Sequence, residues 1–332
     1  MALPALLQNR LSLPVIGSPL FIISVPDLVI AQCKAGIVGS FPALNARPKE
    51  LLEEWIIKIK TELEAYQKAN PHKKVAPFAV NQIVHASNDR LEHDVAMCVK
   101  HKVPIMITSL RAPAEVVKAA HSYGGLVFHD VINQRHAQKA AEEGVDGLIL
   151  VAAGAGGHAG MQSPMAIVSE VKQWFPGMIA LSGAIANGAS ILAAQAMGAD
   201  LAYIGTRFIA THEANAMPEY KKMLTETGAS DIVYSSLFTG VHGNYLGPSI
   251  VKAGLDPKNL PEGSKQAMSF GSGGSSKTKV WRDIWGAGQG VGSIREIASV
   301  ADVVAKLTRE YHAAMQDLQQ RYYPAPKLNA AE

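Results

Sequence analysis

The 332-residue chain has little cysteine, little net charge and no long uninterrupted apolar run. Its two cysteines, Cys33 and Cys98, stand far apart without metal-ligand spacing. Neither a disulfide framework nor a cysteine metal centre is expected, and both read as small buried hydrophobes. The formal charge is only +3 and the basic residues are dispersed, so no surface that tracks nucleic acid is expected. No window reaches the ~18 apolar residues of a membrane span. The start, "MALPALLQNRLSLP", lacks a basic segment and its apolar run is broken by Pro4. No signal peptide, no membrane contact and a cytoplasmic setting are the expectations. The histidines form no HxH or HExxH pattern, so no metal site is expected either.

What is abundant is apolar and small: 48% hydrophobic residues with 29 Gly, enough for one large core. Short β-rich runs recur, each followed by a helical pattern. "PVIGSP" and "LFIIS" come first, then a helix over 27–34. "GIVGSF" precedes a helix over 48–68, in which Leu51, Leu52, Trp55, Ile56 and Ile59 keep one buried face. "VAPFAVN", "VPIMITS", "GLVFHDV", "VDGLILV", "MIALSGA" and "LAYIGTRF" follow, with helices expected at 88–100, 112–122, 133–143, 163–173, 188–197 and 216–226. With "PVIGSP" as the first strand, this makes eight βα units by residue 226. The later strands are continuous apolar runs, the mark of strands buried on both faces of a parallel sheet.

The fold class expected is therefore α/β, a TIM (β/α)8 barrel with a lid or subdomain inserted after the eighth strand. An open doubly wound sheet is the alternative. The barrel is assigned to 1–226, the Gly-, Ser- and aromatic-rich lid to 227–294, a helix completing the barrel to 295–320, and a tail to 321–332.

Two nucleotide-like motifs fail on context. "GAGGHA" (154–159) fits G-x-G-x-x-A, but it falls in the sixth unit, and 171–199 holds no Asp or Glu for a ribose. "GSGGSSKT" (271–278) resembles a P-loop, but Ser276 replaces the required Gly. A better pair is "LSGAIANG" (181–188) and "IGTRF" (204–208), which end the seventh and eighth strands. In a barrel these loops are adjacent and bind phosphate through backbone N–H groups and a helix N-terminus. Gly183, Ala184 and Gly205 allow close approach, and Ser182 and Thr206 add hydroxyls. His158 ends the sixth strand among small residues, on the face where barrel active sites lie. It suits a general base or an oxyanion donor.

At these residues the chain resembles the FMN-dependent nitronate monooxygenase (2-nitropropane dioxygenase-like) family, a group that includes flavin-dependent enoyl-ACP reductases and NADH:quinone reductases. "GAGGHAG", "LSGAIANGASILAAQAMGADLAYIGTRF" and "WGAGQGVG" carry the resemblance. It implies FMN across the barrel mouth, with the phosphate held by Gly183, Ala184, Gly205 and Thr206 and with Ser182 close by. It further implies Asn81 facing flavin or substrate, Gly17 and Ser18 at the ring system, and Gln289 near it from the lid. His158 matches the family's catalytic histidine, which takes an α-proton from a nitroalkane or orients a nitronate.

The implied activity is oxidative denitrification of alkyl nitronates with O2 and a small-molecule substrate, with a homodimer left open. The alternative is an NAD(P)H-dependent flavin oxidoreductase acting on an enoyl or CoA thioester or a quinone. The chain departs from the family pattern at Gly17-Ser18-Pro19-Leu20, at Asp130 where a Lys is common, at Val151 where a carboxylate is common, and at Ala184.

Overall fold

The computed structural model describes residues 3–263 and 283–322. The P-loop-like stretch 271–278 lies outside them, as do residues 323–332 of the expected tail. Eight parallel strands make the central sheet: β1 (Val15–Gly17), β2 (Gly39–Pro42), β3 (Phe78–Val84), β4 (Ile105–Leu110), β5 (Leu126–Val131), β6 (Gly147–Val151), β8 (Met178–Ser182) and β9 (Leu201–Ile204). Each pairs with the next along the chain, β1 pairs with β9, and an Ile16–Val38 bridge joins β1 to the start of β2. The sheet thus closes on itself as a (β/α)8 barrel, with the eight strands at the eight expected runs.

Around it run α1 (Pro26–Lys34), α2 (Leu51–Ala69), α3 (Leu91–Lys100), α4 (Ala114–His121), α5 (Gln134–Glu142), α6 (Pro164–Lys172) and α7 (Gly188–Met197). Their starts follow from local chemistry. Pro occupies the first turn of α1 and α6, while Asn133 and Asn187 cap α5 and α7 by accepting the backbone N–H of His136 and Ser190.

The eighth unit differs from expectation. Only a single turn, α8 (Thr206–Ile209), follows β9, and the outer ring is completed by α11 (Val300–Tyr322), which packs on α7 and α1. Close approach is built into Gly188, where a Cβ would meet the α11 backbone at Tyr311 N. The helix expected near 216–226, α9 (Pro218–Glu226), instead buries Tyr220 and Leu224 against Leu246, Trp285, Val291 and Ile294 of the later segment.

That segment carries β10 (Ile232–Ser235), β11 (Gly243–Leu246) and α10 (Gly247–Lys252). β11 pairs antiparallel with β10 and with β7 (Gly157–His158), a two-residue strand in the loop after β6. Inside the barrel, side chains at every second strand position fill the core: Ile16, Val38, Ala79, Ile105, Ile107, Phe128, Ile149, Ala180, Leu201 and Tyr203. Leu7, fully buried, joins this cluster from the N-terminal turn.

Candidate active site

The period of two that fills the barrel also builds its mouth. Two residues beyond Ala79, Ile107, Phe128 and Ala180 stand Asn81, Ser109, Asp130 and Ser182, so the inward row turns from apolar to polar at the carboxyl ends of the strands. These residues floor a cavity of about 560 Å³. Asn81, only 4% exposed, donates from Nδ2 to Ser109 Oγ at 2.9 Å, and Ser109 donates to Asp130 Oδ2 at 2.6 Å. This chain of hydrogen bonds crosses three neighbouring strands. Asp130 Oδ1 is buried with no hydrogen-bond partner among the described residues. Burial pushes the Asp130 carboxyl up to about 6, against the opposing effect of the Ser109 hydrogen bond. Tyr203, on the same floor, is driven well above its ordinary range by burial and then by the Asp130 charge.

His158 stands on one wall. Because β7 pairs with β11, its backbone is fixed opposite Gly243, and its Nε2 lies 2.8 Å from Thr239 Oγ1. Burial lowers the imidazole to about 4, so the ring is neutral at pH 7. Thr239 Oγ1 also donates to Val241 O at 3.0 Å.

The two small-residue turns pack beside the loop that carries His158, where Ala184 N–H donates to Gly154 O at 3.3 Å. Gly183 sits at φ +135°, where a Cβ would come 2.7 Å from Ala153 O, and Ala184 follows at φ +55°. Gly205 and Thr206 open α8, whose first N–H groups have no partner within the helix itself. The start of α7 is engaged already: Gly188 N–H donates to Glu310 Oε2 at 2.9 Å. The "WGAGQG" stretch closes this wall, with Gly288 N–H on Thr206 Oγ1 at 3.0 Å and Gln289 N–H on Gly154 O at 2.9 Å.

Ser18, Asn81, His158, Ser182, Gly183, Ala184, Gly205 and Thr206 therefore line one cavity. Gly17 and Gln289 do not. Gly17 faces α1, where a Cβ would strike the Gln32 side chain at 2.3 Å, and Gln289 is exposed, with its side chain against Gly154.

Other lining residues carried no sequence signal. "LFIIS" is a tight turn rather than a strand, and it brings Leu20, Phe21, Ile22 and Ile23 to the cavity. Asn45 fixes it, accepting from Ile22 N–H at 2.9 Å and donating to Leu20 O and Ser24 O. Ile22 is held at φ +68°, unusual for a β-branched residue. Only such distant partners make an apolar run turn here. The polar groups of the site chemically suit a phosphate-bearing, ring-shaped cofactor beside a small anion: hydroxyls and amides at one wall, a neutral imidazole at another, apolar walls between. Among the described residues no helix is long and apolar enough to cross a membrane, and no group of three His, Cys, Asp or Glu could hold a metal ion.

Comparison with known proteins fits this arrangement. A nitronate monooxygenase from Paraburkholderia phytofirmans is 24% identical, covering 92% of this chain and 94% of the relative. A (3aS,4S,5R,7aS)-5-hydroxy-7a-methyl-1-oxo-octahydro-1H-indene-4-carboxyl-CoA dehydrogenase from Rhodococcus jostii is also 24% identical, over 72% of this chain and 64% of its own. The structure of FabK from Thermotoga maritima superposes with a TM-score of 0.74 at 22% identity, covering 95% of this chain and 97% of that one. The model of the nitronate monooxygenase family matches residues 7–310, nearly the whole barrel and the segment over its mouth, and the chain is an oxidoreductase belonging to that family.

Proposed function

We propose that the protein binds FMN in this cavity and oxidises alkyl nitronates with O2. The observation that carries this reading is the neutral His158 imidazole facing the same cavity as the Gly183–Ala184 and Gly205–Thr206 turns. The residues fit the cofactor. Gly183 and Gly205 let these turns pack closely, a Cβ there meeting Ala153 O or Leu20, and the Ser182 and Thr206 hydroxyls line the same cavity beside them as partners for a phosphate. Bound FMN supplies the electron acceptor and the centre that reacts with O2.

The chain's own part is to bind, orient and exclude water. An imidazole lowered to about 4 is a poor base for the α-proton of a nitroalkane, but as a neutral ring it still forms hydrogen bonds. That favours a nitronate, whose proton is already gone, and gives His158 the task of steering the anion. The apolar side chains of Leu20, Ile23 and Ile185 hold the alkyl group. Residues 227–294 act as the lid, through Thr239 and the β7–β11 pairing that fix His158.

A second reading has its own support. Asp130 puts a buried carboxyl, raised to about 6, on the floor where a lysine is common in the family pattern, and a CoA-thioester dehydrogenase is among the relatives. An NAD(P)H-dependent oxidoreductase of an enoyl or CoA thioester or a quinone would use such a group.

Oxygen uptake with propyl-2-nitronate by the FMN-loaded protein tests the first reading. Anaerobic bleaching of the flavin by NADH or NADPH, with no nitronate-dependent oxygen uptake, would replace it with the second.

A further inference from the structure

The cavity does not end at its mouth. A second hollow of about 260 Å³ adjoins it and shares Phe21, Ile22, Leu44, Arg47 and Asn215 with its lining. Val25 and Trp55 line only the outer hollow. Its walls are thus mostly apolar, with one cation at the junction. Arg47 is held there by its Nε–H on Leu44 O at 2.9 Å and by the Phe21 ring, 5.6 Å from the guanidinium carbon. It forms no ion pair with a carboxylate among the described residues, so its charge faces the groove unpaired.

The groove is pre-formed. Its inner wall is the turn at residues 20–24, fixed by Asn45 at Ile22 N–H, Leu20 O and Ser24 O, by Asn215 Nδ2 on Ile22 O at 3.1 Å, and by Ser24 Oγ on Leu20 N–H. Ile22 is held at φ +68°, a backbone conformation that β-branched residues rarely adopt. A wall kept in that shape by five hydrogen bonds stays in place whether or not a ligand lies against it.

We infer that this groove is a subsite for an amphiphilic anion: an apolar chain lies along Phe21, Leu44, Val25 and Trp55, and its carboxylate or phosphate pairs with Arg47. A substrate whose reacting end faces His158 leaves the cavity past Phe21 and Leu44, so its distal part enters the groove. The physiological substrate is then longer than a simple nitroalkane and carries an anionic group remote from the reacting carbon. The inference rests on the reading of the His158 cavity as the active site, while its test reads binding alone.

The test is calorimetric titration of the full-length holoprotein with octanoate, octyl phosphate and 1-octanol, on the wild type and on Arg47→Ala, Arg47→Lys and Trp55→Ala. Wild type should bind the anions at least tenfold more tightly than the alcohol. Arg47→Ala should remove that preference while leaving octanol binding as it was, Arg47→Lys should restore part of it, and Trp55→Ala should weaken all three ligands. Tighter binding of octyl phosphate than of octanoate would identify the head group as a phosphate, and the reverse as a carboxylate. Equal binding of anion and alcohol by the wild type, or an unchanged preference in Arg47→Ala, would overturn the assignment. Because Arg47 is exposed, its variants are expected to fold, which a thermal melt verifies. Nitronate turnover does not enter the readout, so failure here leaves the proposed activity to its own test.

Discussion

His158 Nε2 lies 2.8 Å from Thr239 Oγ1, a hydrogen bond that spans 81 residues and ties a barrel loop to the segment inserted after the last strand. The β7–β11 pairing fixes the histidine backbone, and this bond fixes its ring. Thr239→Val keeps the shape and removes the hydroxyl. One lost hydrogen bond of ~1 kcal/mol corresponds to roughly fivefold. The variant should lose about that factor in kcat with nitronate while retaining its FMN absorbance, measured by oxygen uptake and a visible spectrum. A large loss of FMN instead would mean that Thr239 holds the lid together rather than the imidazole.

Asp130 and His158 give opposite pH signatures. The Asp130 carboxyl is raised from 3.8 to about 6 by burial, so the folded state holds its proton more tightly than the unfolded chain. Its contribution to stability is present below pH ~4 and is lost as pH rises through about 6. His158 is lowered from 6.5 to about 4, so its contribution is present above pH 6.5 and is lost as pH falls towards 4. Thermal melts between pH 4 and 8 should show Asp130→Asn gaining most, relative to wild type, at pH 7–8. His158→Asn should gain most near pH 4–5. Parallel melting curves for wild type and both variants would remove the buried-charge account of the floor and wall.

Glycines 154, 156 and 288 interlock two loops more than 130 residues apart in sequence. A Cβ on Gly288 would stand 2.6 Å from Gly154 O, and one on Gly156 would stand 2.7 Å from Gly288 N. Backbone cannot yield as a side chain can. Gly288→Ala should therefore destabilise by roughly 2 kcal/mol or more and displace Thr206 Oγ1 from its N–H partner, which lowers FMN affinity. Gly157→Ala makes the contrast: no atom lies within 4 Å of its Cβ, and only its φ of +69° opposes the substitution, at a cost of about 1 kcal/mol. Urea denaturation and flavin titration of the two variants should separate by that difference.

Local periodicity carried the barrel and much of its mouth. Each barrel strand is a short apolar run, all but β9 with a full helix behind it, and the residues at the carboxyl ends of those runs face the cavity because side chains alternate. His158, Ser182, Gly183 and Thr206 could be placed on that ground alone. Long-range partners were not legible. "LFIIS" has strand composition and becomes a turn because Asn45 supplies the hydrogen bonds a neighbouring strand would have given. The two-residue strand at His158 exists only because β11 returns to it after more than eighty residues. Thr239 and Arg47 carry no motif, and although a helix completing the barrel is expected at 295–320, nothing local tells that α9 leaves the outer ring to pack on Leu246, Trp285, Val291 and Ile294.

The Asn45 clamp supports a last prediction. Asn45→Ala leaves Ile22 N–H, Leu20 O and Ser24 O without their side-chain partner in a half-buried turn, a loss of about 2–3 kcal/mol. Part of that loss is recoverable, because the clamp also holds Ile22 at φ +68° and the freed turn can relax. Glycine accepts this φ without strain, so in an Ile22→Gly background the clamp has no strain to oppose. Asn45→Ala then loses its hydrogen bonds without any compensating relaxation. A double-mutant cycle by urea denaturation should accordingly give a larger cost for Asn45→Ala in the Ile22→Gly background than in wild type, with a coupling of about 1 kcal/mol. Zero coupling would mean that the backbone around residue 22 is held by Asn215 and Ser24 alone, and that Asn45 only solvates the turn.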